Sequence, residues 1–136
     1  MNDTTGPQFG VHDASYLAAG GMDGLRHLAE EFYKAMDALP EAAVVRAMYP
    51  EDVTESAERL ACFLSGWLGG PKVYREKYGE IIIPPYHRQW AIDRAAMEAW
   101  MKCIQTAVEK QPYSDDFKEY LIAQLRVPAE RCINHN

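Results

Sequence analysis

His87, Tyr33, Tyr49 and Trp100 are the residues of this chain whose types can do chemistry together. A neutral imidazole is the commonest metal ligand. A phenol and an indole each carry a hydrogen-bond donor at the edge of an apolar ring, so they can hold a small polar molecule in a dry site. One imidazole on a metal, with an open position facing such donors, makes a site for a small ligand. Among the histidines, His87 is preferred by place. His12 lies in an N-terminal arm and His135 in the tail. His27 precedes Tyr33 on the same helix and points about 240° away from it at 3.6 residues per turn.

The elements that must position these residues are helices. Leu25, Leu28, Phe32, Met36 and Leu39 recur at spacings of three and four, with Glu30, Glu31 and Lys34 on the other side, which predicts an amphipathic helix carrying Tyr33. A short helix is expected before it, capped by Ser15 and stopped at Gly20-Gly21. Pro40 opens a brief segment through Ala47, with Tyr49 at the corner that Pro50 closes. A start signal at Asp52 to Thr54 leads into Leu60, Phe63, Leu64, Trp67 and Leu68, and Gly69-Gly70-Pro71 breaks that helix. Asp93 is the expected N-cap of a helix bearing Met97, Trp100, Met101, Ile104 and Val108. Ser114 opens the last helix, with Phe117, Tyr120, Leu121 and Leu125, and Pro128 is expected to bound it. The stretch from Gly69 to Tyr86 is the longest break in the helical pattern. Ile81-Ile82-Ile83 alone has the look of a strand, and one such run makes no sheet. The chain therefore reads as all-α.

Bulk properties narrow the partners. The 136 residues fit one compact domain, here 15–136, behind a flexible arm at 1–14. Asp and Glu outnumber Lys and Arg by 20 to 14, a net charge of -6 that argues against nucleic acid and against an anionic membrane. No signal-peptide pattern or spanning apolar run is present, so a cytoplasmic protein is expected. Cys62, Cys103 and Cys132 are odd in number and scattered, and are read as reduced thiols. Metal-only, hydrolase and phosphate-loop patterns are absent: there is no C-x-x-C, no H-x-x-x-H and no nucleophile elbow.

A haem asks for a slot between helices lined by apolar side chains, one imidazole on the iron and few polar groups opposite. His87 with Tyr33, Tyr49 and Trp100 meets that demand. Two tyrosines and a tryptophan at helical spacing are also what an ordinary aromatic core contains. Spacing alone leaves both readings open.

Further runs carry a resemblance. Ala18-Ala19-Gly20-Gly21 followed by Leu25 and Phe32-Tyr33, then Arg46-Ala47-Met48-Tyr49-Pro50-Glu51-Asp52, then Phe63 to Pro71, Tyr78-Gly79, His87 and Asp93 to Trp100 stand in an order and spacing that resembles the truncated haemoglobins. The resemblance is to their second group, which have short two-over-two helical globin folds, and it covers most of residues 15–126. It implies that His87 is the proximal ligand of haem b iron, Tyr33 the distal tyrosine, Tyr49 the corner residue and Trp100 the tryptophan of that group. It also implies Ser56 at a gate above the iron, or Ala57 under a one-residue change of register, with Leu60 and Phe63 on the distal wall. Ile104 is counted with the cofactor-binding residues. Around the histidine the chain reads Pro84-Pro85-Tyr86-His87-Arg88-Gln89-Trp90, where the family usually has a basic residue before and Pro-Phe after. Arg88, Tyr86, Lys77 and Tyr74 are the candidates for the propionates.

The implied function is binding of dioxygen, nitric oxide and carbon monoxide, with nitric-oxide dioxygenase or peroxidase chemistry as a competitor. The chain has no flavin or nicotinamide fingerprint, so such chemistry needs a separate reductase or electron donor. Monomer and homodimer both stay open. The reading from a different class is a haem-free helical interaction module whose aromatics only pack.

Overall fold

The computed structural model describes residues 12–49, 51–79 and 92–133. Pro50, Ile81-Ile82-Ile83, Tyr86, His87, Arg88 and His135 lie outside the described residues. The described residues are helical and contain no strand. In chain order they form α1 (Ala14–Ala18), α2 (Gly21–Ala38), a 3-10 turn (Pro40–Ala42), α3 (Ala43–Arg46), α4 (Thr54–Trp67), α5 (Val73–Tyr78), α6 (Arg94–Glu109) and α7 (Asp115–Arg131).

Capping chemistry sets the two late helices where the sequence places them. Asp93 accepts a hydrogen bond from the Ala96 amide at 2.7 Å, and the Ser114 hydroxyl accepts one from the Phe117 amide at 3.2 Å. Each satisfies an amide that the first turn leaves without a helical partner. Asp52 does the same ahead of α4, accepting from the Thr54 amide at 2.9 Å. The expected stripe of α2 is inside: Leu25, Leu28, Phe32 and Met36 are buried. So are Met97, Met101, Ile104 and Val108 on α6, and Phe117, Leu121 and Leu125 on α7.

Three expectations are corrected. Ser15 does not cap α1. It lies within the helix and is buried, and Asp13 precedes it. The break after Gly69 holds a helix of its own, α5. Pro128 does not end the last helix, which runs through it to Arg131. A helix-interior proline removes one backbone bond at a cost of about 3 kcal/mol. Beyond it Ala129 and Cys132 still pack on the core, as Leu125 does one turn earlier, and that burial keeps the helix going.

Helix α2 packs broadly on α4 and on α6, α6 packs on α7, and α5 packs on α4. Two helix pairs thus cover one another, with the core between them. The corner after α4 is closed by α1. The Tyr16 amide donates to the Leu68 carbonyl at 3.1 Å, and the Tyr16 hydroxyl accepts from the Met22 amide at 3.1 Å. Gly69 has φ +91, and a Cβ on Gly70 would stand 2.3 Å from the Tyr16 ring, so only glycines let α1 come this close.

Candidate functional site

A cavity of about 390 Å³ opens between these helices, within the size range of small-molecule sites. Helix α2 gives it Phe32 and Tyr33, α3 gives Val45, and the corner after α3 gives Met48 and Tyr49. Helix α4 gives Glu55, Ser56, Arg59, Leu60 and Phe63, and α5 gives Tyr74. Ile92 with Ala96, Met97 and Trp100 of α6 form a further wall, and Leu125, Pro128 and Ala129 of α7 with Cys132 at its C-cap complete it. The walls are mostly apolar. Polar groups gather at the Glu55, Arg59 and Tyr74 side.

Tyr33, Tyr49 and Trp100 are brought together. Trp100 meets Phe32 at 5.1 Å between ring centroids, Phe32 meets Tyr33 at 4.9 Å, and Tyr33 meets Tyr49 at 5.2 Å. All three contacts are edge-to-face, the geometry that ring quadrupoles favour. Phe32 is the wedge that holds the indole and the phenol apart at fixed orientation. Tyr33 is buried, while Tyr49 and Trp100 are half-buried.

Ser56, Leu60, Phe63 and Tyr74 also line the cavity. Ala57, the alternative to Ser56, packs against the core instead. Ile104 is fully buried one turn beyond Trp100 and is not among the lining residues. His27 is exposed, and its Nδ1–H donates to the Gln111 side-chain carbonyl at 3.0 Å, away from the cavity. His87, Tyr86 and Arg88 fall outside the described residues. Ile92, which follows His87 by five positions in the sequence, lines the cavity. Among the described residues no cluster of three or more histidine, cysteine, aspartate or glutamate side chains could hold a metal.

Lys77 is occupied elsewhere. Its ammonium donates to Glu58 at 3.3 Å, and Glu58 also takes two hydrogen bonds of 3.1 Å from Arg26. The Arg26 fork, helped by Lys77 and opposed by burial, holds the Glu58 carboxyl down at about 2. This hub joins α2, α4 and α5. Among the described residues lining the cavity the cation is Arg59, 3.5 Å from Glu55 and 4.4 Å above the Tyr78 ring. All three thiols are free and buried, and burial pushes their pKa values up, that of Cys103 to about 11.

Sequence reasoning passed over Arg59 and the α7 wall. Arg59 sits at the same three-four spacing as Ser56, Leu60 and Phe63, so its face was readable. Leu125, Pro128, Ala129 and Cys132 also make one helix face, and ending the helix at Pro128 hid it.

The chain matches the bacterial-like globin family over residues 14–132. It is similar to the group II 2-on-2 haemoglobin of Agrobacterium tumefaciens, at 32% identity over 100% of both chains and a TM-score of 0.85. It is also 28% identical over 122 residues to the group 2 truncated hemoglobin YjbI of Bacillus subtilis (strain 168), covering 90% of this chain and 89% of that one. A solved truncated haemoglobin from Bacillus subtilis, described as oxygen-avid, superposes with a TM-score of 0.80 at 28% identity, over 88% of this chain and 98% of that one. The chain belongs to the bacterial-like globins, and within them to the group II truncated haemoglobins. Its two helix pairs are the two-over-two globin sandwich, and the family is one of haem-based ligand binding.

Proposed function

We propose that this chain holds haem b in the cavity through His87 and binds dioxygen, nitric oxide and carbon monoxide there. The observation that carries the reading is the ring series from Trp100 through Phe32 and Tyr33 to Tyr49 along an apolar wall. The residues present fit the group. Apolar side chains of α4, α6 and α7 match a porphyrin's faces, and Arg59 and Tyr74 match its anionic edge. Arg88 and Tyr86 join them in this reading as propionate partners. Ser56 stands at the gate, with Leu60 and Phe63 beside it.

Haem, when bound, would supply a redox-active iron able to take a small diatomic ligand. The chain supplies the rest. Tyr33 and Trp100 donate hydrogen bonds to the partial negative charge on dioxygen, with Tyr49 as a further donor. In a dry, low-dielectric cavity such bonds are stronger than in water. Slow dioxygen release follows, which suits ligand chemistry better than bulk transport. The oxygen-avid relative supports this reading. Nitric-oxide dioxygenase or peroxidase turnover would draw electrons from a separate reductase or donor.

Stopped-flow release from Tyr33→Phe protein tests the proposal. Each charge-assisted hydrogen bond is worth about 1.5–3 kcal/mol, so dioxygen should leave about ten- to a hundredfold faster. Carbon monoxide carries little charge on its outer atom, and its release should change far less. Equal effects on both gases would indicate a steric gate and overturn the donor role.

A further inference from the structure

A second pair of aromatic rings runs outward from the cavity wall, apart from the Trp100 to Tyr49 series. Tyr74 lines the cavity, and Tyr78, one turn along α5, does not. Their ring centroids are 4.9 Å apart. The Tyr78 hydroxyl is at the exposed surface and donates to Glu55 Oε2 at 3.0 Å. The Arg59 guanidinium lies 4.4 Å above the Tyr78 ring.

These positions have electronic consequences. Van der Waals contact between two phenol rings gives an electron a short path between cavity and surface. A cation over the Tyr78 ring makes a positively charged ring costly, so that ring can lose an electron only if its proton leaves with it. The Glu55 carboxylate is already hydrogen-bonded to that proton. Burial, and then the Glu55 hydrogen bond, raise the Tyr78 pKa, which keeps the phenol protonated and the bond to Glu55 in place at neutral pH.

We propose that Tyr74, Tyr78 and Glu55 form a relay by which hydrogen peroxide reduced in the cavity oxidises phenolic donors too large to enter it, at the Tyr78 surface. The proposal rests on the haem reading above. Its balance is closed. Peroxide takes two electrons and two protons and gives two waters. Each electron comes from Tyr78 through Tyr74, and each phenolic proton passes to Glu55 and on to water. A donor phenol at the surface then gives one hydrogen atom to the Tyr78 phenoxyl and restores it. The sum is one peroxide and two phenols to two waters and two phenoxyl radicals.

The experiment treats haem-loaded protein with hydrogen peroxide and a nitroso spin trap, then maps the adduct by peptide mass. The adduct should fall on Tyr78 and be lost from that peptide in Tyr78→Phe. That variant should take up haem and bind carbon monoxide as the parent does, yet lose oxidation of bulky phenols. Glu55→Gln keeps an acceptor but cannot take the proton, so it should slow adduct formation by about a hundredfold, the low end for a positioned proton acceptor. An intact Soret band with the adduct on Tyr49 or Trp100 instead, or unchanged bulky-phenol oxidation in Tyr78→Phe, would overturn this relay and leave the haem reading standing. Absence of a Soret band after haem addition would remove both.

Discussion

Tyr33, Tyr49 and Trp100 differ in what each can contribute, and the ring geometry says how. Tyr33 is buried and touches both Phe32 and Tyr49, so its hydroxyl has the fewest orientations open to it. Trp100 is fixed by Phe32 alone in this series and is half-buried. Trp100→Phe should speed dioxygen release by about tenfold, as loss of one charge-assisted bond implies, and should also quicken association because the smaller ring opens space. Tyr49→Phe should change release less than either, since Tyr33 remains beside it. Stopped-flow traces for both gases separate these effects, and a Tyr49→Phe effect equal to that of Tyr33→Phe would reverse the ranking. At this scale the residue types were legible in the sequence and their wedge was not. Helical spacing placed Tyr33 and Trp100 on two helices, but the crossing that puts Phe32 between them is a property of packing. Arg59 escaped for the opposite reason: its spacing pointed inward, while its charge suggested a solvated face.

Among the elements, α5 is tied to the sandwich by charge and α1 by close packing. Glu58 binds Arg26 of α2 and Lys77 of α5 from α4. Its carboxyl is lowered from the ordinary 4.5 to about 2, so between those values the unfolded chain binds more protons than the folded one. The hub's stabilisation is therefore present above pH 4.5 and is lost as pH falls toward 2. Urea midpoints measured across that window should fall with pH in the parent and fall less in Glu58→Gln. Parallel curves would remove the hub from the acid response. At the other corner, Gly70→Ala drives a Cβ into the Tyr16 ring and should cost about 1–3 kcal/mol, the usual range for overpacking. Because the clash needs both partners, Tyr16→Ala with Gly70→Ala should cost less than the sum of the two single changes in the same urea titration. The glycine pair was visible in the sequence as a helix stop. That it is also a docking seat needed the fold, since the ring it receives lies more than fifty residues away in the chain. The continuation of α7 past Pro128 was hidden likewise: local propensity argues for a stop, and tertiary burial of Ala129 and Cys132 overrides it.

For the whole molecule, the helical periodicity was strong enough in the sequence to fix an all-α chain, and the two-over-two sandwich came from the order of its motifs, which matched the group II truncated haemoglobins to which it belongs. The α5 segment and the α7 wall were the parts that only the assembled structure exposed. Among the described residues no helix is long and apolar enough to cross a membrane. What the assembly offers is a cavity with donors along one wall and a cation at one edge. The central claim is that haem sits there on His87. Absorption spectra of the ferric, ferrous and carbon monoxide forms of parent and His87→Gly protein test it most directly. The parent should show a Soret band that shifts on reduction and on carbon monoxide addition, and His87→Gly should lose stable haem binding until imidazole is supplied. A His87→Gly protein with an unchanged ferrous spectrum and no response to imidazole would contradict the account.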